Sequence, residues 1–592
     1  MSDYSPAKWS AFILVSSLFT TLALLLASNT GLVSLPLGLT SPSEKNTLEW
    51  NPQSNYQKTI LLQASKKAVH AFFEKKPIKI ERIICSNKRV YVTLREKGEL
   101  VGCQANLIDS NNLALKTAEA TLHALTDPRF KSPENEESTS IEINVLNPVQ
   151  EIKDKSIESL KKEIEPGIHG IKIENNNQKA LFLPTVMVQN HYSHKRMIQE
   201  ICKKAGMKEN CLENPQTKIY KFTTTDFTSV NGNLITLYRG NPLIKNQDIS
   251  TKTLKHSVEL TRDWFKANND TNGLYYYEYY PAYNRFSKKN SLIRQFGSLG
   301  TAARIAHFLN DKELEKTCQE KAKEYTSALK KDNNKAWVNE GKKSKLGTSA
   351  LLLIALLELN DKNQFSKEIE QLANFIQSMQ TKNGAFYTHY PKSTDEKSID
   401  YYPGEALLAL MLAFEKTGKK EYLQTVEKAF PNYKKYFDAN KNTAFVPWQS
   451  SAYSHAFLAT RKKEYAEFVF EMNDWILKKQ YNKQAPYPDY AGGFAHNSIP
   501  GASTCSYSEG LADALSIAKK IGEDKSKKYS EALKKAARFM LQLQFNEKNT
   551  YYIKQPKLAI GGFKKSLANE TIRVDNQQHC ASAILKLIKL NN

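Results

Sequence analysis

Seven cysteines in 592 residues, at positions 85, 103, 202, 211, 318, 505 and 580, include no Cys-x-x-Cys pair. That spacing excludes a zinc cage and a disulfide-built scaffold. Phosphate-cradling glycine loops are missing, as are the Gly-x-Gly-x-x-Gly, His-Glu-x-x-His and Gly-x-Ser-x-Gly signatures. Nucleotide, zinc-protease and serine-hydrolase chemistries therefore lack their usual signatures, and no cofactor or metal is expected. The aspartate clusters of prenyl diphosphate enzymes are also absent. Acidic residues are outnumbered, 61 against 84 Lys and Arg, for a formal charge of +23. The excess is mostly Lys scattered along the chain, with no basic–aromatic array, so it reads as background and no nucleic-acid partner is expected. Long hydrophobic runs are lacking with one exception, and the mean hydropathy is -0.54, which excludes a polytopic membrane protein.

The exception spans residues 11–35, a charge-free run long enough to cross a bilayer of about 30 Å as a helix. Its flanks offer neither a strong basic head nor a good small-residue cleavage site. The expectation is an uncleaved anchor at 1–36 with an extracytoplasmic body, periplasmic or cell-surface, the membrane being one partner. A cleaved, secreted form is the alternative. With 41% apolar and 24% charged side chains the remainder is globular. A polar linker at 37–56 precedes a domain at 57–225, and a second linker at 226–249 leads to a domain at 250–592.

In the first domain, Ile60, Ala64, Ala68 and Phe72 recur at helical spacing. Alternating stretches such as Val90-Tyr91-Val92-Thr93-Leu94 and Ile141-Glu142-Ile143-Asn144-Val145 read as half-buried strands, so the domain is α+β. Gly98-Glu99-Leu100-Val101-Gly102-Cys103-Gln104-Ala105 resembles the glycine–cysteine signature of the AMMECR-type domain. Asp127-Pro128-Arg129-Phe130, Gly167-Ile168-His169-Gly170, Leu183-Pro184-Thr185 and Cys202-Lys203-Lys204-Ala205-Gly206 follow in the same order. The resemblance implies an AMMECR-like fold with Gly102, Cys103, Arg129 and His169 as its motif residues. It implies little about activity, because the family has no settled biochemical function. Where the family pattern carries an arginine before the signature glycine, this chain has Val101, which favours a structural or unknown role. Read alone, Cys103 is either a nucleophile or a buried small residue. Cys202 and Cys211 are able to pair in an oxidising compartment, as are other combinations.

From about residue 250 the pattern changes to long amphipathic helices alternating with more apolar ones. Outer-type helices are predicted near 251–268, 311–331, 364–380, 420–437, 463–480 and 526–545. Apolar partners are predicted near 291–308, 345–359, 404–416, 452–460, 504–520 and 575–590. The intervening loops share a small residue beside an aromatic, as in Gly384-Ala385-Phe386, Gly493-Phe494 and Gly562-Phe563. Six such pairs resemble the (α/α)6 toroid, the six-hairpin barrel of many glycan-active enzymes. The fold class expected is therefore multidomain: an α+β AMMECR-like domain, an all-α (α/α)6 toroid and an N-terminal transmembrane helix.

In such a barrel, the loops entering the inner helices open at one end. Glu405, Asp489, Asp575, Glu278 and His579 are the candidate catalytic groups there. Tyr275, Tyr277, Tyr401, Trp448 and Tyr490 offer aromatic faces to sugar rings, and Arg294 and Arg573 suit a carboxylate-bearing sugar. Tyr507 and Glu509 lie in the same loop cluster. The expected partner is a polysaccharide or other glycan, acted upon by hydrolysis, elimination or epimerisation. A non-catalytic glycan- or protein-binding scaffold is the alternative.

Overall fold

The computed structural model describes residues 47–591, apart from 81–82, 271–272, 360–363, 483, 496–497 and 523. The chain divides into two compact units, one of residues up to Leu243 with the segment Glu547–Lys554, the other of Ile244–Asn546 and Gln555–Asn592.

The first unit is built on strands β1 (Val90–Glu96), β2 (Glu99–Ala105), β3 (Thr139–Leu146), β4 (Gly170–Asn175), β5 (Gln178–Phe182), β6 (Lys218–Phe222), β7 (Thr224–Val230) and β8 (Asn233–Leu237). A five-stranded antiparallel sheet runs β8-β7-β3-β1-β2. Strand alternation sends Val90, Val92, Leu94, Ile141, Ile143, Val145 and Phe227 to one face. That face is buried against α1 (Asn55–Glu74) and α2 (Leu113–Leu125). Both helices start on a side-chain cap: Ser54 accepts from the Gln57 amide, and Asn112 accepts from those of Ala114 and Leu115. The opposite face is polar, with Thr93 opposite both Cys103 and Glu142, and Asn144 opposite Asp226. A smaller sheet contains β6-β4-β5 and lies with α3 (His194–Lys204), where Cys202 is bonded to Cys211.

The second unit alternates outer and inner helices. The outer set is α4 (Thr251–Ala267), α6 (Lys312–Ser327), α8 (Ser366–Ser378), α10 (Lys420–Ala439), α12 (Lys463–Leu477) and α14 (Lys525–Leu543). The inner set is α5 (Leu292–Leu309), α7 (Leu346–Glu358), α9 (Tyr402–Thr417), α11 (Val446–Thr460), α13 (Ser503–Ile521) and α15 (Val574–Asn591). The inner helices pack in the cyclic order α5-α7-α9-α11-α13-α15, and α15 closes on α5. Each outer helix packs chiefly against the inner helix that precedes it in the ring, as α6 does on α5 and α14 on α13. The closed ring makes this unit an (α/α)6 toroid.

The turns between outer and inner helices repeat one device. Gln480 at the end of α12 donates to the carbonyls of Gly492 and Ala532, and Gln544 after α14 donates to those of Gly561 and Ser257. Gly492 has φ 87°, and a Cβ there would stand 2.0 Å from the Lys535 carbonyl oxygen. The turn therefore requires glycine in order to sit on the next outer helix. The aromatic that follows is pinned from the inner helix: Phe494 donates its amide to Thr504, and Phe563 to Gln577.

The expectation of a membrane-crossing helix is corrected. Among the described residues no helix is long and apolar enough to cross a membrane. The most apolar, α7, has 13 residues. At 1.5 Å per residue it reaches about 20 Å, short of a hydrocarbon core of about 30 Å. Residues 11–35 lie outside the described residues, and the fold that is described consists of the two units. The membrane-anchored, extracytoplasmic location has no support in the structure.

Candidate functional site

The starts of the inner helices bring a polar cluster to the ring axis. Glu405, in the first turn of α9, is buried, and its Oε2 has no hydrogen-bond partner. Its carboxylate lies over α7 at Gly347, where a Cβ would come within 2.0 Å of that oxygen. Burial pushes the carboxyl up to about 8, opposed by the charge of His579. Burial thus favours the protonated form of Glu405.

One turn into α15, His579 holds Glu509 of α13 through Nδ1 at 2.6 Å. Burial works to lower the imidazole, but the charge and hydrogen bond of Glu509 and the charge of Asp575 outweigh it and the net shift is upward. Glu509 is held below the usual carboxylate range against its own burial, by His579 first and Lys586 next. The Trp448 ring stands edge-on to His579, centroids 5.8 Å apart.

Asp575 takes a two-pronged bond from Arg573, at 2.6 and 2.8 Å, and a third from Arg294 at 2.8 Å. Its burial raises the carboxyl, yet the two guanidiniums bring it below its ordinary value. Arg294 also donates to the Tyr277 hydroxyl and lies over that ring at 5.5 Å. Tyr401 is 46% exposed beside this group, within the field of Glu405, Arg294 and Tyr507. Glu278 sits at the edge, opposite Arg573 in an antiparallel strand pair and bonded to the Tyr280 hydroxyl at 3.0 Å.

Below the cluster, toward the C-terminal ends of the inner helices, lies an axial cavity of about 540 Å³. Trp448, Glu509 and Gln578 form its wall next to the cluster, Leu351, Ile354 and Leu408 its sides, and Arg304 and Lys586 part of its far end.

Three predicted residues are placed elsewhere. Tyr275 is buried between Phe265 of α4 and the Lys321 ammonium of α6. Asp489 is buried with its carbonyl on Arg538 of α14, at 2.6 Å. Tyr490 packs among Tyr481 and Tyr487. Glu509 takes the place in the cluster for which Asp489 was favoured. Its sequence signal is a carboxylate among small residues in Ser508-Glu509-Gly510-Leu511-Ala512, a signal that Asp513 in the same helix shares.

In the first unit, Gly102, Cys103 and Arg129 are together. Asp127 accepts from the Cys103 amide at 3.1 Å and binds Arg129, which donates back to the Cys103 carbonyl at 2.7 Å. The Thr93 hydroxyl donates to Cys103 Sγ at 3.3 Å. Gly102 abuts the Ala124 carbonyl. His169 is apart from them: its Nδ1 accepts the Glu165 amide, and burial lowers it to about 4, helped by Lys221 and Arg239. Among the described residues no three His, Cys, Asp or Glu side chains converge as metal ligands.

Comparison with known proteins gives two separate results. The AMMECR1 family model matches residues 56–227. A protein of Aquifex aeolicus (strain VF5) is 34% identical over 172 residues, 28% of this chain and 88% of the relative. Among solved structures, D-mannose isomerase matches 58% of this chain and 98% of its own at 12% identity and TM-score 0.45. Cellobiose 2-epimerase from Bacillus thermoamylovorans B4167 matches 57% and 99%, at 12% identity and TM-score 0.43. The toroid assignment rests on the closed ring itself, not on these two scores.

Proposed function

We propose, for a chain that belongs to the AMMECR1 family through residues 56–227, that its chemistry lies in the toroid, as acid–base catalysis on a polysaccharide or other glycan. The observation that carries this reading is the meeting of Glu405, Glu509 and His579, from three inner helices, beside an axial cavity that Glu509 itself lines. Glu405, whose protonated form burial favours, is the proton donor. His579, oriented by Glu509, is the second proton-transfer group, and Asp575 with Arg294 and Arg573 holds a fixed charge pattern beside them. Trp448, Tyr401 and Tyr277 supply faces for sugar rings. The cavity volume lies in the range of small-ligand sites.

The test is a screen of the full chain against neutral and acidic oligo- and polysaccharides, reading reducing ends, unsaturated products and solvent-deuterium exchange at sugar carbons. Turnover is expected, falling about 10²-fold or more in Glu405→Gln and in His579→Gln, and declining in the wild type as pH passes the range where Glu405 holds its proton. A second reading, a glycan-binding scaffold, has one observation in its favour: Asp575 and Glu509 are already paired with cations. Binding without product across the panel would favour the scaffold and sink the enzyme.

A further inference from the structure

The side chains around the axial cavity of the toroid are sorted by depth. Beside the cluster stand Trp448, Glu509 and Gln578, an aromatic face and two groups able to bond hydroxyls. Below them the wall turns aliphatic, with Leu351 and Ile354 of α7, Leu408 and Leu412 of α9 and Leu585 of α15. Charge returns only at the far rim. There Arg304 is held by Ser582 at 2.7 Å and Glu358 at 3.4 Å, and Lys586 by Asp513 at 2.6 Å. Cations are favoured at helix C-terminal ends in any case, so this paired rim is accounted for by the fold. The aliphatic zone is not. Sugar rings are recognised by aromatic faces and hydrogen-bonding groups, and these five side chains offer neither. The serines at its margin, Ser451 and Ser582, are engaged with Asp513 and Arg304. A wall of this kind gains free energy by covering aliphatic surface.

We infer that the glycan of this site carries an aliphatic aglycone, with its sugar at Trp448, Glu509 and Gln578 and its hydrocarbon chain among Leu351, Ile354, Leu408 and Leu585. The sugar end rests on the acid–base reading above, which the inference deepens by naming the substrate class: an alkyl, acyl or isoprenoid glycoside, not a plain polysaccharide. The cavity of about 540 Å³ is large enough for both parts of such a molecule. Leu351 and Glu358 lie seven residues apart on α7, so the aliphatic wall runs for about 10 Å along the axis before charge returns. That depth suits a chain of medium length, because carbons beyond it reach the ion-paired rim and gain no burial. The two ends of the cavity thus ask for two chemistries in one ligand, polar beside the acid–base groups and aliphatic below them.

The experiment is calorimetric titration of the full chain with methyl, butyl, hexyl and octyl β-D-glucosides and α-D-mannosides below their micelle concentrations, each also assayed for product. Affinity is expected to rise about 3-fold per methylene, roughly 10²-fold from butyl to octyl, in both series, since the chain is read apart from the sugar. Leu408→Trp, which fills the aliphatic zone, should cut that rise to under about 10-fold. An octyl glycoside with a diazirine at the chain end should label residues 351–358 of α7 and 408–412 of α9 in the unmodified chain, whether or not the variant folds. A flat series, label found only outside the inner helices, or an undiminished rise in folded Leu408→Trp overturns the aglycone site. A flat series with turnover of the methyl glycosides overturns that site alone and leaves the acid–base reading standing. A rising series with label on α7 and α9 but no product supports the aliphatic site and sinks the acid–base reading.

Discussion

In the first unit the five-stranded sheet sorts residues by face: Val92, Leu94 and Ile143 go to the helices, while Thr93, Glu142 and Asn144 go to the polar side. In the toroid, side-to-side sorting is weak, because an inner helix such as α7 or α9 is surrounded and apolar nearly all round. Polar residues are sorted along its helix axis instead, with Arg294, Glu405 and Asp575 all in first turns. A two-residue period thus places polar groups in a plane, and a ring of helices places them in a layer. At α9 and α15 the partial positive charge of the helix start favours the acids Glu405 and Asp575 in that layer.

The comparison breaks most visibly at buried ion pairs. Lys564 and Glu570, each 2% exposed in side chain, are 2.9 Å apart in the toroid, and the ammonium also lies over Phe545. Lys564→Ala strands a buried carboxylate and is expected to cost about 3–5 kcal/mol. Lys131→Ala, which breaks the exposed pair with Glu134 in the first unit, is expected to cost no more than about 1 kcal/mol. Chemical denaturation read by unit-resolved hydrogen exchange measures both. Comparable losses would show that the toroid interior is as solvated as the first unit's rim.

The disulfides offer the next contrast. Cys505–Cys580 ties α13 to α15 across a sequence separation of 75, whereas Cys202–Cys211 spans 9. On loop-closure entropy alone these contribute about 4.5 and about 2.6 kcal/mol. Cys505→Ser with Cys580→Ser should therefore destabilise the toroid by about 2 kcal/mol more than Cys202→Ser with Cys211→Ser destabilises the first unit. An equal or reversed order in denaturant midpoints would put the loop-length argument aside.

These same cysteines mark what the sequence makes legible. Cys202 and Cys211 stand among the open pairings because they are close along the chain. Cys505–Cys580 depends on α13 and α15 being ring neighbours, which no local pattern encodes. The AMMECR signature is readable because Gly98 to Ala105 is one β-turn and strand, and the inner helices are readable because burial on all sides leaves a run such as Leu351-Leu352-Leu353-Ile354-Ala355. In the cluster, Arg573, Asp575 and His579 are recognisable together, lying within seven residues where a strand ending at Arg573 runs into α15. Choosing Glu509 over Asp489 needs the turn Pro488–Tyr490 to be seen packing on Arg538. The five tyrosines of 275–280 are likewise equivalent on paper, yet Tyr275 faces the outer helices and Tyr277 faces Arg294.

The smallest effect gives the sharpest sign test, because one buried titratable group in each unit is shifted away from its charged form. Glu405 rises from 4.5 to about 8, so the folded toroid keeps a proton that the unfolded chain releases. Between those values its contribution to stability falls as pH rises. His169 drops from 6.5 to about 4, so the folded first unit refuses a proton that the unfolded chain accepts. Its contribution is complete above 6.5 and is lost as pH falls toward 4. Glu405→Gln should thus gain on the wild type as pH climbs from 5 to 8, and His169→Gln should gain as pH drops from 6.5 to 4.5. Each difference should change by no more than about 1.4 kcal/mol per pH unit, the smallest increment of the three contrasts. Taking each variant against the wild type in the same buffer cancels the titrating groups that are not coupled to the one replaced. Thermal unfolding across that range reads both slopes, and slopes of the same sign would mean that at least one of the two groups is charged in the folded chain.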